Sequence, residues 1–146
     1  MTTVNGAEVQ ILRLGHVEYR VTDLERGRAF YVDLLGFVET SRDRDRIYLR
    51  GLEEREHHSF VLRRAPSAGV SHFAFRVASE GDLDRLHRRC EATGRPARWV
   101  AKGEEEGQGK ALRVQDPSGL PVEFYHEMAQ VDRYLQRFDL YRGPYV

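Results

Sequence analysis

His16-Val17-Glu18-Tyr19-Arg20-Val21 and His72-Phe73-Ala74-Phe75-Arg76-Val77 align without a gap, and this pair decides how the rest of the chain is read. Each segment opens on histidine, alternates apolar and polar residues as a half-buried strand does, and runs into a stretch of helical period. The first helix is announced by Thr22 or Asp23 as a cap, carries Leu24, Phe30, Tyr31, Leu34 and Leu35 as its apolar stripe, and ends at Gly36. The second starts at Ser79, places Leu83, Leu86 and Cys90 on one stripe, and ends at Gly94. Three short strand-like runs follow each helix: 37–40, 46–50 and 58–63 after the first, and 97–100, 111–115 and 121–125 after the second. The chain thus reads as βαβββ written twice, an α+β fold whose two modules form one cupped mixed sheet with the helices outside. The modules span about 14–64 and 70–126 of a single domain, 1–128. Residues 129–146 are expected to form a C-terminal helix or a linker toward a second domain, with Val131, Tyr134, Leu135 and Phe138 at helical spacing.

Bulk properties narrow the function by exclusion. The 146 residues are 40% hydrophobic, enough to fill one core, and their formal net charge is zero. A neutral chain carries no electrostatic footprint for nucleic acid or an anionic membrane, so the expected partner is a small molecule or another protein. One cysteine, Cys90, allows no internal disulfide and no thiolate cluster, which suits the cytoplasm. The start of the chain lacks the basic-then-apolar pattern of a signal peptide, and no apolar run is long enough for a membrane span.

Strand parity carries the chemistry. Alternate residues of a strand face opposite sides of the sheet, so Val17, Tyr19 and Val21 are expected against a helix while His16, Glu18 and Arg20 point the other way. The same parity puts Phe73, Phe75 and Val77 under the second helix and leaves His72 on the opposite face. In the last strand, Val122 and Phe124 pack, leaving Glu123 and Tyr125 on that opposite face. A single histidine at a strand mouth is usually a surface group. Two at equivalent points of a repeat, with a carboxylate of matching parity, form the set that holds a divalent metal and leaves positions open. Trp99 and the tyrosines read as packing groups, the run Glu104 to Glu106 as a solvated loop or a lid, and His87 and His126 as non-ligands.

The run 14–24, with 29–37, 46–50, 57–63, 116–125 and 136–141, resembles type I extradiol dioxygenases of the vicinal oxygen chelate superfamily, such as catechol and homoprotocatechuate 2,3-dioxygenases, in particular their amino-terminal domain. The resemblance implies a metal held by His16, His72 and Glu123, with Fe(2+) the usual ion and Mn(2+) the occasional one. It also implies a small aromatic diol and dioxygen as partners, ring cleavage beside the diol, and a homo-oligomer. His58 matches the acid–base histidine of such enzymes, and Arg113 and Tyr125 are expected at the substrate. Two departures accompany it. The loop and strand from Glu104 to Gln115 lack the late histidine of those enzymes and put Arg113 where their tyrosine falls. Two-domain extradiol enzymes are also longer, and their amino-terminal domain usually holds no metal. Glyoxalase I, a sister branch, takes a further carboxylate from the fourth strand, which here has no acidic residue. The alternatives are therefore a glyoxalase-type metal-dependent lyase or isomerase, and a metal-free binding or resistance module.

Overall fold

The two histidine-led segments become neighbouring antiparallel strands at the centre of one eight-stranded sheet. The computed structural model describes residues 8–132. In chain order the elements are β1 (Ile11–Val21), α1 (Leu24–Arg28, continued by a π-helical stretch Ala29–Leu34), β2 (Val38–Arg42), β3 (Arg46–Arg50), β4 (Phe60–Arg64), β5 (Gly69–Val77), α2 (Glu80–Ala92), β6 (Ala97–Val100), β7 (Ala111–Gln115) and β8 (Pro121–Tyr125). Across the sheet the order is β2-β3-β4-β1-β5-β8-β7-β6. Each half repeats the other: β1 runs parallel to β4 as β5 does to β8, and the remaining pairs in each half are antiparallel. Parallel pairing needs a crossover, which each module makes with its helix and two further strands. The two-module α+β reading of the sequence is the architecture found.

Capping sets the helix starts. Asp23, rather than Thr22, accepts a hydrogen bond from the Arg26 amide. Ser79 and Asp82 form a reciprocal capping box, an arrangement in which each bond is worth about 1 kcal/mol. Leu24 packs with Ile47, Leu49, Phe60 and Leu62, backed by Val17, Tyr19 and Val21, so the first-strand parity holds. The expected first-helix stripe holds only in part. The Leu35 amide bonds back to the Phe30 carbonyl, five residues earlier, and this wider turn shifts the packed face to Tyr31 and Val32. Phe30, Leu34 and Leu35 are exposed instead.

The concave face is filled rather than open. Residues 51–59, 101–110 and 126–131 lie across it, stitched by hydrogen bonds from His57 N to the Ala129 carbonyl, Ala129 N to Gly107, Gly109 N to Glu127, and Val131 N to Arg55. Met128 and Gln130, at the start of the segment expected as a helix or linker, sit in isolated bridges to Gln108 and Glu56. The remainder of that segment, 133–146, lies outside the described residues. Among the described residues no helix is long and apolar enough to cross a membrane.

Candidate metal centre

Register builds the site. His16 on β1 lies opposite Ala74 on β5, and Ala74 opposite Glu123 on β8, so the three occupy one row across adjacent strands; His72 precedes Ala74 by one same-face step. Ala74, between them, is fully buried and packs with Val100, Ala111, Tyr125 and Met128. His16, His72 and Glu123 are themselves no more than 1% exposed.

The distances suit an ion. Donors held at ~2.1 Å from a metal lie ~3 Å apart at right angles and ~4.2 Å apart at most. His16 Nε2 and His72 Nε2 are 3.2 Å apart, and Glu123 Oε1 is 4.0 Å from the first and 3.8 Å from the second. Arg113 Nε donates to Glu123 Oε2 at 2.9 Å, and its Nη2 contacts the same oxygen. Gln108 Nε2 donates to Oε1 at 2.8 Å, so the carboxylate is clamped with Oε1 turned toward the histidines.

A fourth donor comes from the acidic run, where a solvated loop or a lid is expected from the sequence. Glu104 and Glu106 are on the outside, but Glu105 is 2% exposed. Its Oε2 is 3.1 Å from His16 Nε2 and its Oε1 3.1 Å from His72 Nε2. One atom from each of His16, His72, Glu105 and Glu123 falls within 4.8 Å of the other three. Both Glu105 oxygens are buried and within ion-pair distance of imidazoles, yet neither completes a hydrogen bond, a pattern expected of donors gathered round a common centre. The donor set, nitrogen and carboxylate oxygen without sulfur, suits iron, manganese or zinc.

The other candidates are placed differently. His58 lies just before β4 rather than on it, fully buried, with Nε2 3.5 Å from Glu105 Oε2 and Nδ1 2.8 Å from His57 Nδ1. Arg113 is committed to Glu123. Tyr125 is fully buried, its ring centroid 5.5 Å from that of His16 and its hydroxyl donating to Glu56 Oε2 at 3.0 Å. The polar groups of both expected substrate contacts are thus already engaged with carboxylates. His126 bonds the Val77 carbonyl and His87 stacks on Trp99, so neither joins the cluster.

Electrostatics follow from burial and neighbours. Burial would raise the Glu105 pKa, but the His16, His58 and His72 imidazoles outweigh it and hold the carboxyl well below the usual range. Burial would lower His72, yet Glu105 and Glu123 raise it. His58 goes the other way, pushed by burial from 6.5 down to about 4. Because folding depresses its pKa, neutral His58 is compatible with the fold above about pH 6.5, and stability drains as pH falls from there toward 4. His72 has the opposite sign, its contribution being complete below 6.5 and lost only as pH rises through its raised value, so it does not mask this window. In metal-free protein, urea unfolding is expected to lose up to about 3 kcal/mol between pH 7 and 4.5, and His58→Asn to lose much less. Parallel pH profiles would contradict the assignment.

Comparison with known proteins fits this geometry. The chain is 34% identical over 119 residues to a manganese-dependent 2,3-dihydroxybiphenyl 1,2-dioxygenase of Geobacillus genomosp. 3, covering 82% of this chain and 38% of that protein. It is 39% identical over 116 residues to a metapyrocatechase of Pseudomonas sp. (strain CF600), covering 79% of this chain and 38% of that one. Homoprotocatechuate 2,3-dioxygenase from Brevibacterium fuscum, solved as an anaerobic complex with 3,4-dihydroxyphenylacetate, superposes with a TM-score of 0.86 at 41% identity, over 91% of this chain and 42% of that one. The chain thus spans well under half the length of these relatives. Residues 13–124, which reach from β1 into β8 and hold all four buried donors, match one family, and the chain belongs to the glyoxalase/bleomycin resistance protein/dioxygenase superfamily.

Proposed function

We propose that this chain is a domain of an extradiol ring-cleaving dioxygenase acting on a catecholic aromatic with dioxygen, and that His16, His72 and Glu123 hold its divalent metal. The convergence of these three buried donors on one face of the sheet, in a chain whose relatives are ring-cleaving dioxygenases, carries the reading. A divalent ion supplies the charge that gathers diol oxygens and dioxygen at one centre. Iron(II) is our assignment, with manganese(II) second because one relative is named for it.

The chain's own residues define what surrounds that ion. Arg113 and Gln108 orient Glu123, and His58, its pKa pushed down to about 4 by burial, is neutral near pH 7 and starts as a proton acceptor. Ring cleavage needs proton transfer in both directions, and Arg113, which falls where the family's tyrosine would be, is bound to Glu123. The protein reconstituted anaerobically with Fe(II) is therefore expected to bind one ion per chain. Given catechol or 3,4-dihydroxyphenylacetate and air, its oxygen uptake should fall far below the ordinary enzyme rate of about 10 per second. Ordinary turnover would show that these groups suffice alone, and a chain that takes up no metal would remove the proposal. The extra carboxylate, Glu105, favours a second reading as a glyoxalase-type isomerase or lyase, which would turn over a hemithioacetal without oxygen uptake.

A further inference from the structure

We infer that Glu105, carried on the β6–β7 loop, is a fourth protein ligand that takes one corner of the metal face which a three-residue site leaves open. The inference rests on the metal-site reading above and adds to it a ligand from a loop.

Three observations carry it. Glu105 is buried at 2% exposure with neither oxygen in a well-formed hydrogen bond, facing three imidazoles and, at 3.8 Å from Oε1, the Arg113 guanidinium, a cluster that a shared cation would complete. Its oxygens stand 3.1 Å from each histidine nitrogen, nearer than the Glu123 carboxylate stands to either. The loop itself is pinned. Gly103 and Gly107 hold positive φ angles of 81° and 82° on either side of the acidic run, which only glycine takes readily. Gly103 N bonds the Gln108 carbonyl, Gln108 N the Glu105 carbonyl, and Glu106 N the Tyr48 hydroxyl, while Arg46 Nη1 donates to the Glu104 carbonyl. A Cβ at Gly107 would come within 2.7 Å of the His57 ring, so the loop packs directly on the cover across the site.

The consequence is geometric. Two histidines and one carboxylate on one face of an octahedral ion leave the opposite face free for both diol oxygens and dioxygen together. A fourth protein donor takes a corner of that face, and a chelating diol then leaves no place for dioxygen. In this chain the ion is accordingly closed to ring cleavage for as long as Glu105 stays bound.

Manganese(II) titration of the full chain tests this, with pulsed EPR in deuterated water to count the water ligands of the bound ion. The wild-type complex is expected to hold about two waters or fewer, and Glu105→Gln to bind manganese at least about tenfold more weakly and to gain a water. Equal affinity and hydration in the two proteins would overturn the inference while leaving the three-residue metal site standing. Failure of the wild type to bind manganese, cobalt or zinc would instead bring down the metal reading itself. If Glu105→Gln does not fold, the wild-type count decides alone, since about three waters would mean that Glu105 is not a ligand.

Discussion

Replacing Glu123 with glutamine is expected to lower manganese(II) affinity by more than about 100-fold, the upper range for loss of groups that merely support ligands. The substitution keeps the shape of the side chain and removes its charge. Glu123 carries the Arg113 guanidinium on one oxygen and turns the other toward two histidine nitrogens. A neutral amide would leave Arg113 facing no formal charge on that residue and would offer the ion a weaker donor. His72→Ala is expected to have an effect of the same order, because Nε2 of that ring is one of the two nitrogens 3.2 Å apart. Competition with a coloured chelator measures both variants. Affinities within a few-fold of the wild type would mean that the ion, if any, sits elsewhere.

Gly15→Ala is expected to destabilise the chain by about 3 kcal/mol or more, at the upper end for overpacking a closed interior. A Cβ at position 15 would overlap the Tyr125 hydroxyl and lie 2.6 Å from Cζ of that ring. Tyr125 cannot swing aside. It is fully buried with Ala74, Val100, Ala111 and Met128, and its hydroxyl is tied to Glu56, which is held in turn by Arg13 at 2.8 Å and Arg76 at 3.0 Å. Gly15 also precedes His16, so strain there would reach the metal site. Urea unfolding of Gly15→Ala, Tyr125→Ala and the double variant makes the check. The double variant should cost clearly less than the two single losses added together, and strict additivity would show that the two positions do not compete for space.

The repeat and its parity made most of this structure legible. His16, His72 and Glu123 are found together because strands have a period of two and because the same motif opens both modules; the register across β1, β5 and β8 then follows from the topology. Glu105 had no such signal. It lies in a loop without a period, between two other glutamates, and its inward turn depends on the conformations at Gly103 and Gly107 and on contacts with residues far away in sequence. The buried face of α1 was misphased for a related reason. A helical wheel assumes a constant turn, and the π-helical stretch from Ala29 breaks that assumption, turning Val32 inward and Leu34 outward. Tyr125 illustrates a third limit. Parity put it on the face of the metal cluster, but the loops that fill this face, and give its hydroxyl to Glu56, are not visible in a strand pattern.

Crystals of the chain grown with manganese(II), with diffraction recorded at the manganese edge, put the central claim to the most direct test. The account predicts one anomalous peak above Ala74, within about 2.3 Å of His16 Nε2, His72 Nε2 and an oxygen of Glu123. No peak there, with the two imidazole nitrogens hydrogen-bonded directly to each other or to Glu105, would contradict it.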